Sequence, residues 1–187
     1  MKAFPLRSAL GAISLSAFLV LGGCAVNSVV QGSSQAPAPL EAHSLRIVWK
    51  GGTYQKSIET HDRVKLGAAA PTVTQEDGIL YSAKVDLVKL NLQRSLIGKV
   101  AAGMPSYVSH DREARNALAL ELVRIAADTD GSRDVTIKAS VVKLPSAEVV
   151  WWRTMKISAS RFNSDDALSD EVSKAIIGQM KDSALID

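Results

Sequence analysis

The chain has 187 residues, of which 47% are hydrophobic and 22% charged, and it carries a formal net charge of +3. This is ordinary globular usage, with enough apolar material for one buried core. The 22 Lys and Arg residues fall to 20 once Lys2 and Arg7 are set aside, against 19 Asp and Glu, so the small positive excess gives no reason to expect nucleic acid as a partner. A single cysteine excludes an internal disulfide.

Residues 1–23 have three parts in order. Met1 to Arg7 carries both early cations, Ser8 to Leu21 is apolar, and small residues follow before Cys24. This is the order of a secretory signal. An apolar helix of about 14 residues rises only ~21 Å, short of the ~30 Å hydrocarbon core, so a permanent span is the weaker reading. Leu21-Gly22-Gly23-Cys24 resembles a bacterial lipobox. The resemblance implies cleavage between Gly23 and Cys24 and lipidation of Cys24. It implies up to three acyl chains, more than the two signals that stable anchoring needs. Ala25 stands where an aspartate resembles an inner-membrane retention signal. The expected location is therefore the periplasmic face of the outer membrane.

Residues 24–43 are expected to be a flexible tether, punctuated by Gly32, Ser33, Ser34, Pro37 and Pro39. Residues 44–187 are expected to form a single periplasmic domain. Leu45, Ile47 and Trp49 alternate before Gly51-Gly52 and the polar run around Tyr54 and Ile58, which predicts a β-hairpin. Residues 61–77 read as loop. Ile79, Tyr81, Ala83 and Val85 alternate as a strand. Val88, Leu92, Leu96 and Val100 recur every four residues as in a helix, although Gly98 interrupts them, so 86–102 stays open between helix and strand. Ala114, Leu118, Leu122 and Ile125 form a helical stripe after Ser109, with Asp111 and Glu113 in the first turn and Gly131 at the end.

Val135, Ile137, Ala139 and Val141 alternate again, as do Val149, Trp151, Met155, Ile157 and Ala159, with Arg153 interrupting, across a break at Pro145-Ser146. These two strands should pair as a hairpin. Ser164-Asp165-Asp166 caps a last helix with the stripe Leu168, Val172, Ala175, Ile176 and Met180. The mixture predicts an α+β domain, a mostly antiparallel sheet with amphipathic helices on one face.

Catalytic motifs are absent. No H-E-x-x-H, G-x-S-x-G, phosphate loop or G-x-G-x-x-G occurs. His43, His61 and His110 lack metal-ligand spacing, and no metal or other cofactor is expected. Ser140-Val141-Val142-Lys143 matches S-x-x-K, but on a strand Ser140 and Lys143 point to opposite faces. Asp128 to Asp134 resembles the start of a calcium loop, yet Ala139 stands where the bidentate glutamate belongs and Arg133 would sit beside the ion. It reads better as a helix-to-strand turn.

Trp151-Trp152 places one indole on each face of a strand. Trp152 is thus a candidate contact for a partner. The Trp-bearing strand followed by an amphipathic helix is similar to small lipoproteins that assist ABC-type lipid transport or envelope assembly. The expected function is that of a membrane-anchored, non-catalytic envelope lipoprotein that binds or scaffolds an envelope protein or lipid. A periplasmic enzyme of unrecognised type and a carrier of a small apolar ligand are the alternatives.

Overall fold

The computed structural model describes residues 26–33, 38–59, 75–109, 114–128, 131–161 and 163–187. Strands β1 (Val26–Gly32), β2 (Leu45–Lys50) and β3 (Gln55–Glu59) precede helix α1 (Gln75–Gly103). Strands β4 (Asn116–Asp128), β5 (Arg133–Lys143) and β6 (Val149–Ala159) precede helix α2 (Asp165–Asp182). The sheet order is β1-β6-β5-β4-β2, with β3 also on β4. The class is α+β: β1-β6, β6-β5 and β5-β4 are antiparallel, and β2 and β3 run parallel to β4.

The expected hairpin at Gly51-Gly52 does not form. β2 pairs with Asn116 to Glu121 and β3 with Arg124 to Asp128, so the two occupy one lane along β4. The glycines interrupt this lane without reversing it. The interruption falls beside a bulge in β4, where Leu122 and Arg124 face the consecutive residues Ile137 and Thr136 and Val123 is the extra residue.

That bulge also explains why 114–131 is not the expected helix. Leu118, Leu120 and Leu122 are buried on alternate positions, and the extra residue then moves the buried set to Ile125 and Ala127. Spacing of two followed by a slip of one leaves Leu118, Leu122 and Ile125 at helix-like intervals.

The strand expected at 79–85 and the open segment 86–102 belong to one helix, α1. β3 and β4 are parallel neighbours, and a parallel pair needs a crossover connection, which α1 supplies. Val85, Val88, Leu92, Leu96 and Val100 line its buried face, while Gly98 lies exposed with open space around it.

The β5-β6 hairpin and α2 form as the sequence predicts. Val135, Ile137, Ala139 and Val141 of β5 and Trp151, Met155, Ile157 and Ala159 of β6 face the helices and are all buried. Ser164 caps α2 by accepting from the Ala167 amide, and Asp165 and Asp166 occupy the first turn. Ser95 of α1 donates to Ser169 of α2 at 2.8 Å, a polar bridge between the two helices.

The tether is corrected over residues 26–32. They form the edge strand β1, in register with β6 from Val26–Ser158 to Gly32–Arg153. Val29 and Val30 remain exposed at this edge. The folded body therefore includes chain that the composition of 24–43 assigned to a linker. Among the described residues no helix is long and apolar enough to cross a membrane.

Candidate functional site

The pleat of β6 separates the two tryptophans. Trp151 is fully buried under α2, and its indole Nε1 donates to Ser183 Oγ at 3.0 Å. Trp152 is half-buried on the opposite face, opposite Ser140 of β5, which in turn faces Ala119 of β4. Two small side chains in line leave the face of the sheet beside the indole low. Lys138 stands over the Trp152 ring, 5.1 Å from its centroid. Farther along, Lys50 pairs with Glu121 at 2.9 Å. An aromatic ring flanked by charges on a shallow sheet face suits contact with another molecule.

Arg153 explains the interruption in the apolar pattern of β6. Its guanidinium donates to the Ser33 carbonyl at 2.8 Å and to Ser183 Oγ at 3.3 Å, and it lies 5.7 Å from the Trp151 ring centroid. It thereby joins the end of β1 to the end of α2. The backbone of Gly32 lies against this side chain, and a β-carbon there would collide with it.

At the other end of the sheet, the first half of α1, the end of β4, the start of β5 and the start of α2 border a pocket of about 390 Å³. Val85, Val88, Ile125 and Ala127 form its apolar side. Lys84, Asp128, Ser132, Arg133, Arg161 and Asp165 bring the charge and polarity. Arg133 is fixed: it forms an ion pair with Asp165 and donates to the Asn163 carbonyl, leaving its Nε buried without a hydrogen-bond partner. Asp165 also accepts from Asn91 of α1 at 2.6 Å.

Cys24 and Gly23, the expected lipidation and cleavage positions, lie outside the described residues, as do His61 and His110. His43 sits in a turn with φ of 53° and reaches the Val108 carbonyl at 3.4 Å. The calcium-like stretch joins β4 to β5, so the turn is strand-to-strand. Gly131 donates to the Asp128 carbonyl there and has φ of 89°, which suits glycine. Among the described residues no group of three or more His, Cys, Asp or Glu is placed to hold a metal. Ser140 borders Trp152, whereas Lys143 ends β5 and pairs with Glu148 at 3.6 Å.

The pocket is invisible in the sequence because four separated segments build it. In the sequence Arg133 reads only as a cation out of place beside an ion, and Lys84 falls within an expected strand. The available signal is the cap Ser164-Asp165, which marks one wall.

No protein-family model matches the chain, and no curated protein matches it. Solved structures do. PelC from Paraburkholderia phytofirmans, a dodecamer, is 15% identical with a TM-score of 0.39, over 81% of this chain and 95% of that one. Protein XCC0632 from Xanthomonas campestris, of the DUF330 family, is 15% identical with a TM-score of 0.35, over 79% and 90% of the two chains. At these values function is argued from this chain's own residues.

Proposed function

We propose that this chain is a lipid-anchored envelope protein whose domain binds or scaffolds another envelope component and performs no catalysis. The lipobox-like Leu21-Gly22-Gly23-Cys24 supplies the anchor. The observation that carries the reading is the start of β1 at Val26, two residues after Cys24, in a strand paired with β6. Acyl chains on Cys24 would hold the sheet itself at the membrane, and Trp152 on β6 would be presented from a body of restricted orientation.

Asp165 is engaged by Arg133 and Asn91, and Ser164 caps α2, so these side chains act as structural supports. The carrier reading also has a specific observation in its favour, since about 390 Å³ falls within the usual range for small-ligand pockets.

Co-purification from detergent-extracted membranes tests the binding role. The intact lipoprotein should retain a partner that the Trp152→Ala form loses, with both forms equally folded. Retention by both forms would remove Trp152 from the interface.

A further inference from the structure

The register of the sheet fixes which end of the domain Val26 occupies. Val26 pairs with Ser158 of β6, and Ser158 pairs with Asp134 of β5, the residue after Arg133. Two strand spacings, about 10 Å, separate Val26 from Asp134. The pocket between the helices and the β4-β5 turn therefore opens at the same end of the sheet as the chain leading to Cys24. Resting on the anchored reading above, a membrane holding Cys24 lies at the mouth of that pocket.

The chemistry of the pocket matches what a membrane presents there. Lys84, Arg133 and Arg161 set three positive charges against Asp128 and Asp165. Arg133 is held by Asp165 and the Asn163 carbonyl, which fixes its guanidinium in the pocket wall. Lys84 and Arg161 are exposed at the rim. Behind the cations lie Val85, Val88 and Ile125. Leu87 lines the pocket while 57% exposed, and Leu90, one turn along α1, is 44% exposed. Cations in front of an apolar wall, with an uncovered leucine pair beside them, complement a molecule that is anionic at one end and aliphatic next to it.

We propose that this pocket binds a phospholipid with an anionic headgroup, drawn from the membrane that holds the anchor. The headgroup phosphate meets Lys84, Arg133 and Arg161, and the start of an acyl chain lies along Val85, Leu87 and Val88.

The test uses the mature full-length protein in neutral detergent, with bound lipid read by native mass spectrometry. Phosphatidylglycerol, phosphatidylcholine with the same acyl chains, and inorganic phosphate are compared. Phosphatidylglycerol should be retained about tenfold more strongly than phosphatidylcholine, and phosphate alone should leave no adduct. The double variant Lys84→Glu, Arg161→Glu should lose about tenfold or more of the phosphatidylglycerol retention at unchanged melting temperature. Should that variant unfold, Leu87→Asp, at an exposed position, should also weaken phosphatidylglycerol retention. Equal retention of the two lipids would overturn the proposal, as would an undiminished adduct in a folded variant. Phosphate binding as tightly as the lipid would also overturn it. The intact mass of the same sample reports Cys24 separately. Selective lipid retention with unmodified Cys24 would sink the anchored reading alone, and acylated Cys24 without lipid selectivity would sink the pocket alone.

Discussion

Trp151 and Ser183 meet through a 3.0 Å hydrogen bond from indole Nε1 to the hydroxyl, which fastens the residue after α2 to the buried face of β6. A large apolar ring is thus buried with its one donor satisfied. Trp151→Ala should cost about 3–5 kcal/mol, the usual range for removing a buried aromatic. Trp152→Ala, on the half-exposed face, should cost less than this. Denaturant melts of both variants check this. Equal, large losses would mean that both faces of β6 are equally buried.

Arg153 should decide whether β1 stays in the sheet. Its bonds to the Ser33 carbonyl and to Ser183 form a side-chain link between the end of β1 and the end of α2. Arg153→Met keeps much of the stem and removes these charged hydrogen bonds, a loss of about 1.5–3 kcal/mol. Amide hydrogen exchange should accelerate across Val26 to Gly32 first, with Val135 to Val141 still protected. Uniform acceleration throughout the sheet would contradict a local role.

Asp86 gives the surface a pH dependence of known sign. The hydrogen bond from Lys56 lowers its pKa most, and that from Tyr54 next, below the ordinary 3.8. Tyr54 is shifted upward, by desolvation first and by its bond to Asp86 second. A carboxyl with a depressed folded pKa stabilises above its unfolded value, and that contribution is lost as pH falls through the folded value. The melting-temperature gap between wild type and Asp86→Asn should therefore be present near pH ~6 and close as pH drops below 3.8. A gap that is constant into strong acid would show that Asp86 acts through packing alone.

What the sequence displays and what it hides follow from the range of the interactions involved. β5 and α2 are legible because each carries an unbroken local period, with a cap at Ser164 for α2, and β6 because its alternation survives the single interruption at Arg153. β4 is illegible because the bulge at Val123 slips its period and counterfeits a helical stripe. β1 is illegible because its partner β6 lies far along the chain and Gly32, which reads as a linker residue, is needed where Arg153 passes. α1 is settled by a requirement no local window contains, the crossover between parallel β3 and β4. The division of the tryptophans between two faces follows from strand geometry once β6 is known. The pocket depends on all of these elements together.

The central claim is that Cys24 carries lipid and joins the membrane directly to the sheet. Intact-mass measurement of the protein extracted from membranes tests it most directly. The account predicts a chain that begins at Cys24 and bears a diacylglyceryl group, with a further acyl chain on the new amine. The mass should fall to that of an unlipidated chain when Cys24→Ser is expressed and secreted, or that variant should remain as the uncut precursor. An unmodified Cys24 in the wild-type protein, or retention of residues 1–23, would contradict it.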